Sequence, residues 1–243
     1  TFSDISAILL PMNKPVLSIV AGPIGNLGDI TLRALETLKR ADLIVAEDTR
    51  VTGKLLRYYG IHKPIKSIRE RSHASRVEGL INDIANRRYS HVAYLTDAGT
   101  PGVSDPGGQL VAAARAAGIT VEPIPGPSAL TAILQVAGID LSDGILFLGF
   151  LPKKKGRQTL LIKLQSSPWP VVIFERGERL GKTLDQFKDI YGDDAKVVVG
   201  RELTKLHEEF TSIKLGDAKS IAGIKTRGEF TVLIAPASKK EKR

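Results

Sequence analysis

The sequence predicts an α/β protein whose N-terminal half is built on a parallel sheet. Short apolar runs typical of buried parallel strands alternate with stretches of helical periodicity, and turn residues separate them. The chain of 243 residues is long enough for two modest domains or one large one. No apolar run reaches the length of a membrane span, so we expect a soluble protein that neither enters nor binds a membrane.

The predicted elements follow one another without a repeat. In the first half they are a strand at 16–21, a helix with Leu32, Leu35 and Leu38 on one face, a strand at 43–46, helices at 52–59 and 75–87, a strand at 91–95, a helix at 109–117, a strand at 120–124 and a helix at 129–136. In the second half they are a strand at 145–150, a helical stretch with Leu160, Leu161 and Leu164, a strand at 171–175, a helix at 180–191, and strands at 196–200, 210–214 and 229–235. Asp29 or Thr31 is positioned to cap the first helix.

This order suggests where the domains divide. We expect a lead-in segment at 1–13, an N-terminal α/β domain at 14–124, a C-terminal α/β domain at 125–236 and a basic tail at 237–243. The hinge is placed at 123–127, where three prolines stand close together, with 138–144 as the alternative.

The stretch 94–108 predicts a ligand-binding loop. It joins a strand to a helix and holds Asp97, Asp105, two prolines and many small residues, more than a tight turn needs. Small residues let a ligand approach the backbone, and ligands of open α/β sheets bind at the carboxyl ends of strands. A purely structural turn is the alternative. The glycine spacing after the first strand does not match the Rossmann fingerprint, which disfavours nicotinamide and flavin.

Charged residues suggest two further sites. Glu47, Asp48 and Arg50 follow the second strand, and they form either a site or an ion pair that caps the next helix. A net charge of +9 favours a polyanionic partner over a merely solvated basic surface, and 153–157 is the densest basic cluster outside the termini. With no cysteine and four scattered histidines, no metal site is expected.

Six short segments carry a family resemblance. They are 46–61, 23–27, 97–101, 125–129, 149–152 and 201–209, and together they resemble the bacterial ribosomal RNA small-subunit methyltransferase I family of the tetrapyrrole methylase-like superfamily. The resemblance spans roughly residues 14 to 235. The sequence departs from the family pattern at Gly22, where Thr is usual, and at 69–73 and 175–179.

The resemblance implies two α/β domains of tetrapyrrole methylase type with the cofactor cleft between them. It implies a cytoplasmic homodimer that uses S-adenosyl-L-methionine to methylate the ribose 2′-hydroxyl of a cytidine in 16S ribosomal RNA of the small ribosomal subunit. The implied cofactor contacts are Pro23, Asp97, Gly99, Thr100, Val103, Asp105, Ser128 and Ala129. The catalytic candidates are Asp48, Glu47 and Arg50, and the RNA-binding candidates are Lys153, Lys154, Lys155, Arg157 and Arg201.

Several alternatives stay open at this point. A tetrapyrrole methylase and a ribosome-binding factor without catalysis are the rival functions. The identity of the general base is open among Glu47, Asp48 and Asp97. The choice between free RNA and an assembled subunit as substrate is open too.

Overall fold

The computed structural model describes residues 14–68 and 74–237, and these fall into two compact units that divide between Ser128 and Ala129. The predicted lead-in, segment 69–73 and the basic tail from residue 238 lie outside the described residues. The prediction placed the domain boundary slightly earlier, after residue 124. No helix within the described ranges is long and apolar enough to cross a membrane.

A fully parallel sheet forms the first unit, as predicted. Its elements are β1 (Val16–Val20), α1 (Leu32–Arg40), β2 (Leu43–Ala46), α2 (Thr49–Tyr58), β3 (Ile65–Ser67), α3 (Ala74–Ala85), β4 (His91–Leu95), α4 (Gly108–Ala116) and β5 (Thr120–Ile124). The strand order is β3-β2-β4-β1-β5, and every pair is parallel. The prediction missed β3, which is three residues long and only partly buried.

Helices cover both faces of this sheet because side chains alternate along each strand. On one face Leu43, Val45 and Tyr94 pack in a cluster that includes the stripe of α3, Val77, Leu80, Ile81 and Ile84, as its periodicity predicts. On the other face Ile44 and Leu95 pack in a cluster with Leu38 of α1.

The prediction that Leu32, Leu35 and Leu38 share one face of α1 is wrong for Leu32. Leu32 is 72% exposed, and the buried residues are Ala34, Thr37 and Leu38. A spacing of three residues falls about 60° short of a full turn at each step, so Leu32, Leu35 and Leu38 cannot share a narrow stripe. Thr31 rather than Asp29 caps the helix, because its Oγ1 accepts a hydrogen bond from the Ala34 amide at 3.1 Å.

The second unit contains a mixed sheet. Its elements are α5 (Ala129–Val136), β6 (Leu146–Phe150), α6 (Arg157–Leu164), β7 (Val171–Arg176), α7 (Gly177–Tyr191), β8 (Lys196–Arg201), β9 (Glu209–Lys214), α8 (Ala218–Ala222) and β10 (Glu229–Ala235). The strand order is β6-β7-β10-β8-β9, in which only the β6–β7 pair is parallel. The short helix α8 was not predicted.

Candidate functional site

Among the described residues, four complete loops leave the first sheet at one edge because its strands all point one way. They follow β1 (21–31), β2 (47–48), β4 (96–107) and β5 (125–128), and we call them the carboxyl-edge loops. Ligands of open α/β sheets bind at this edge. Pro23, Glu47, Asp48, the candidates at 97–105 and Ser128 all lie in these loops, and Ala129 is the first residue of α5.

Two backbone hydrogen bonds join the β4 loop to the β1 loop. The Gly22 amide donates to the Gly99 carbonyl at 2.9 Å, and the Gly99 amide donates to the Pro23 carbonyl at 3.1 Å. Gly99 has φ +72°, and a Cβ there would lie 3.0 Å from Cγ2 of Ile24. A side chain at this position would therefore add backbone strain and crowd the junction between the two loops.

The β5 loop is fastened to the same junction. Oγ1 of Thr100 donates to the Pro127 carbonyl at 2.9 Å, and the Ala21 amide donates to the Ile124 carbonyl at 3.0 Å. A Cβ on Gly126 would lie 2.9 Å from Cβ of Ala21, so this close approach requires glycine. The structure thus brings Pro23, Gly99 and Thr100 together with the turn that ends at the buried Ser128.

A carboxylate network links the β2 loop to the β4 loop. The Asp48 amide donates to Oδ1 of Asp97 at 3.0 Å, and Oε2 of Glu47 lies 3.5 Å from the Asp97 amide. Asp97 is exposed, whereas Glu47 and Asp48 are partly buried. The candidate acids of the two loops therefore belong to one connected group at the sheet edge.

Asp48 and Arg50 form the ion pair that was one of the two interpretations of this motif. Oδ1 of Asp48 accepts from the Arg50 amide at 2.8 Å, which caps α2, and its Oδ2 accepts from Nη2 of Arg50 at 2.6 Å. The hydrogen bond and the charge of Asp48 raise the pKa of Arg50. The other interpretation, a site at the carboxyl end of β2, is compatible with this cap because the Arg50 side chain is 83% exposed.

The far end of the β4 loop returns over the ring of Tyr94. Val103 donates its amide to the Thr100 carbonyl at 3.2 Å, Ser104 has φ +63°, and a Cβ on Gly107 would lie 3.0 Å from the ring. Burial raises the pKa of Tyr94, and the negative charges of Glu47, Asp105 and Asp97 raise it further. The ring of Tyr94 therefore packs against the end of the β4 loop at Gly107.

Tyr94 was not singled out from the sequence. Its position at the end of a buried strand, directly before a loop rich in carboxylates, is the signal that could have identified it. The paired amide and carbonyl of Gly99 left no signal beyond the glycine itself.

The structure separates the basic candidates into two groups. Lys153, Lys154 and Lys155 are exposed in the loop before α6. Arg157, in contrast, is 9% exposed, and its guanidinium donates to Gln186, Thr183 and the Pro152 carbonyl. Burial lowers the pKa of Arg157.

Arg201 also turns inward. It is 9% exposed, it donates to the carbonyls of Arg227 and His207, and it pairs with Glu209 at 3.3 Å. In the structure the guanidinium groups of Arg157 and Arg201 are both engaged inside the second unit, which disfavours the expectation that they present their charge to RNA.

The second unit contains a cavity of about 380 Å³, and none of its lining residues belongs to the carboxyl-edge loops. It is lined by Val199, Arg201, Glu209, Thr211, Ser220, Gly223, Ile224 and Lys225. Glu209 pairs with both Arg201 and Lys225, so the charges of this cavity largely satisfy one another. Over residues 14–68 and 74–237, no group of three or more His, Cys, Asp and Glu side chains is arranged to hold a metal ion.

Solved structures show where the fold recurs. The chain aligns with the methyltransferase CobJ at a TM-score of 0.68 over 92% of this chain and 95% of that one, with 18% identity. It aligns with a diphthine synthase at a TM-score of 0.66 over 90% of each chain, with 15% identity. At these identities the likeness shows the fold alone.

Sequence relatives are much closer. The profile of the tetrapyrrole (corrin/porphyrin) methylases matches residues 16–219. The ribosomal RNA small subunit methyltransferase I of Thermotoga maritima is 44% identical over 90% of this chain and 97% of its own length. The protein of that name from Neisseria meningitidis serogroup B is 42% identical over 91% of this chain and 76% of its own. The chain therefore belongs to the ribosomal RNA small subunit methyltransferase I family, within the tetrapyrrole methylases.

Proposed function

We propose that this methyltransferase uses S-adenosyl-L-methionine to methylate the ribose 2′-hydroxyl of a cytidine in 16S ribosomal RNA of the small subunit. The names of the relatives support the RNA substrate. The observation that carries the proposal is the assembly of carboxyl-edge loops. In it the Gly22 amide donates to the Gly99 carbonyl and the Gly99 amide donates to the Pro23 carbonyl, in the first unit that also holds Glu47, Asp48 and Asp97.

The residues present fit S-adenosylmethionine. The close approach of the loops at Gly99 and Gly126 and the hydrogen bond from Thr100 to the Pro127 carbonyl hold the backbone in place, so binding would lose little entropy. Glu47, Asp48 and Asp97 form one hydrogen-bonded group of carboxylates at the sheet edge, which would suit a ligand that carries an ammonium and a sulfonium. Carboxylates also accept hydrogen bonds from ribose hydroxyls. Pro23, Gly99, Thr100, Val103 and the turn at Ser128 and Ala129 complete the proposed contacts.

When bound, the cofactor supplies a methyl group that is already activated for transfer, so the protein's own task is alignment and removal of one proton. Alignment of donor and acceptor supplies a large part of the rate in such displacements. A ribose hydroxyl is a poor nucleophile unless a base accepts its proton near the transition state. We propose Glu47, Asp48 and Asp97 as the candidates for this base because they form one connected group, and the exposed Arg50 beside them as a phosphate contact.

The network suggests how to identify the base. Asp48 accepts hydrogen bonds from the Arg50 amide and guanidinium, so protonating it would weaken the cap of α2. Asp48→Asn, Glu47→Gln and Asp97→Asn should each be measured for kcat against pH and for cofactor affinity. Loss of the base should lower kcat about 10²- to 10⁴-fold, whereas loss of a carboxylate that only contacts the cofactor should weaken cofactor affinity. If no variant lowers kcat, the proton goes to another group.

The RNA contacts of the second unit are proposed at Lys153, Lys154 and Lys155. Their charges are exposed, whereas those of Arg157 and Arg201 are occupied inside the protein. We further propose that the enzyme works as a homodimer in the cytoplasm. Sedimentation at assay concentration tests the dimer, and a monomer with full activity would refute it.

The experiment that tests the proposed function uses a cofactor labelled in its methyl group. The protein is incubated with small ribosomal subunits or with a 16S RNA transcript, and the labelled nucleotide is mapped. We expect label on the ribose of one cytidine. Label on a base would refute the ribose assignment, and label on a tetrapyrrole but not on RNA would favour the rival enzyme. Binding of RNA without binding of the cofactor would favour a factor without catalysis.

A further inference from the structure

One exposed helix face beside the site is not explained by the network described so far. Along α2 the exposed side chains are Arg50, Val51, Lys54, Arg57 and Tyr58. Arg50, Lys54 and Arg57 are spaced i, i+4 and i+7, which places them on one side of the helix over about 10 Å. We call Arg50, Lys54, Arg57 and Tyr58 the α2 basic face.

A merely solvated helix surface accounts poorly for this composition. Exposed helices usually intersperse acidic residues that pair with their cations at i+3 or i+4, and α2 contains no Asp or Glu. The helix dipole favours Arg57 in the last turn but disfavours Arg50 in the first, where Asp48 offsets its charge. Helix stability therefore does not explain why three exposed cations lie on this side of α2.

An exposed aromatic ring accompanies the cations. Tyr58 is 67% exposed and stands edge-on to Tyr59, with ring centroids 4.9 Å apart at 84°. Tyr59 is held in turn, because its hydroxyl donates to the Leu27 carbonyl in the β1 loop. Tyr58 is thus a supported ring with open surface, which is the arrangement on which a nucleic-acid base can stack.

The face also begins at the candidate site. Asp48 caps α2 through the Arg50 amide, and its own amide donates to Asp97 of the β4 loop. An RNA strand that lies along α2 would therefore reach the group of carboxylates formed by Glu47, Asp48 and Asp97 at the first turn of the helix. Cations along one helix side, a supported aromatic ring and this position together match single-stranded RNA better than a protein partner, which would need a larger apolar patch.

We propose that the α2 basic face binds the RNA strand next to the nucleotide that is methylated, with Arg50, Lys54 and Arg57 on phosphates and Tyr58 stacked on a base. The inference rests on the proposed function, because RNA is the polyanion that function names. It assigns a role to a segment of the first unit, whereas the basic cluster predicted from the sequence lies in the second.

The test measures RNA affinity against salt for the full chain. The probe is a 16S RNA transcript, and the variant is Lys54→Ala with Arg57→Ala. Each lost phosphate contact makes the negative slope of log K against log salt shallower by about 0.7 to 0.9. The slope of the double variant should therefore be shallower than that of the wild type by about 1.4 to 1.8. The matched control is Lys39→Ala with Arg40→Ala, two exposed cations at the end of α1, and its slope should equal that of the wild type.

Tyr58 gives a second readout that does not depend on charge. Tyr58→Ala should weaken RNA binding about fivefold or more, whereas Tyr58→Phe should retain the affinity because the ring is kept. Thermal unfolding of each variant checks the fold. An unchanged slope in the α2 double variant would overturn the inference, as would an equal loss in the α1 control.

Failure of the proposed function gives a different result. If the wild type transfers no methyl group to RNA but the slope falls as expected, the function is refuted while the RNA-binding face stands. If the wild type labels RNA and the slope does not change, only the α2 inference is refuted. A loss of binding to small subunits without any loss on the transcript would indicate a ribosomal protein as the partner and would also refute it.

Discussion

The two units use charged residues at strand ends in opposite ways. In the first, the residues after β2 and β4 place Asp97 and the Arg50 side chain at the surface, beside a backbone junction tightened by glycine. In the second, Glu175 at the end of β7 is 1% exposed, and Arg179, Thr183 and the Arg176 amide all donate to it. Similar sequence signals therefore mark a candidate site in one unit and an internal tie in the other.

Strand direction explains much of this difference. Parallel strands gather their carboxyl ends at one edge, so the loops that follow them converge. Sheet β6-β7-β10-β8-β9 is largely antiparallel, so its loops alternate between edges and its charged residues are free to serve packing. Convergence of loops, rather than the presence of charge, is what distinguishes the candidate site.

The largest expected effect tests the internal role of Glu175. Glu175→Ala leaves Arg179 and Thr183 without their buried acceptor and should lower the free energy of unfolding by about 3 kcal/mol. Chemical denaturation measures this change. Glu178→Ala, on the exposed side of α7, is the control and should cost less than about 0.5 kcal/mol. Equal costs for the two variants would contradict the contrast between the units.

The next effect compares two glycines of the β4 loop. Gly99 has φ +72° and close neighbours, whereas Gly102 has φ +85° and nothing within 4 Å of the added Cβ. Gly102→Ala should cost about 1 kcal/mol of backbone strain, and Gly99→Ala about 1 kcal/mol more because the loop junction is crowded. We also expect only Gly99→Ala to reduce cofactor affinity tenfold or more, measured by calorimetry. Equal cofactor affinities of the two variants would show that the loop junction at Gly99 is not part of the cofactor site.

A smaller effect concerns acid stability at the opposite edge of the first sheet. Oγ of Ser18 donates to Oε1 of Glu122 and lies 2.6 Å from Nε2 of His91. Burial lowers the pKa of His91, more than the nearby Glu122 raises it. The unfolded chain then binds more protons below about pH 6.5, so stability should fall as the pH drops from there through the lowered pKa.

Unfolding experiments between pH 7.5 and 5 test this acid dependence. His91→Gln should flatten the pH dependence, whereas His62→Gln, which replaces an exposed histidine, should leave it as in the wild type. An unchanged slope in His91→Gln would show that other groups cause the acid sensitivity.

The smallest expected effect on stability concerns the basic loop before α6. Replacing Lys153, Lys154 and Lys155 with alanine should change the free energy of unfolding by less than about 0.5 kcal/mol and lower the salt dependence of RNA binding. Arg157→Ala should lower the free energy of unfolding and leave the salt dependence of RNA binding unchanged, because the Arg157 guanidinium donates hydrogen bonds to Gln186 and Thr183 inside the unit. If Arg157→Ala changes RNA binding and not stability, Arg157 contacts RNA as the sequence predicted.

The sequence predicted most of the first unit because its signals are local. Continuous apolar runs at β2 and β4 and the regular stripe of α3 indicate buried parallel strands and a core-facing helix without further context. The stretch at 94–108 indicated a loop at a sheet edge. The inward direction of Arg157 and Arg201 was not predictable, since it depends on partners such as Gln186 and Glu209 that are distant in sequence.

The backbone hydrogen bond between Gly22 and Gly99 could not be predicted from the sequence either. A hydrogen bond between backbone groups 77 residues apart leaves no trace in the residue types other than the glycines themselves. The Asp48 cap, in contrast, follows from sequence order, and it was one of the two interpretations kept open.

A crystal structure with S-adenosylhomocysteine tests the central claim most directly. We expect the ligand to contact the backbone of 99–103 and the turn at 125–128, with its amino group or ribose hydroxyls on carboxylates of the β2 and β4 loops. A ligand bound elsewhere, such as in the cavity beside Arg201 and Lys225, would contradict the claim that the carboxyl-edge loops hold the methyl donor.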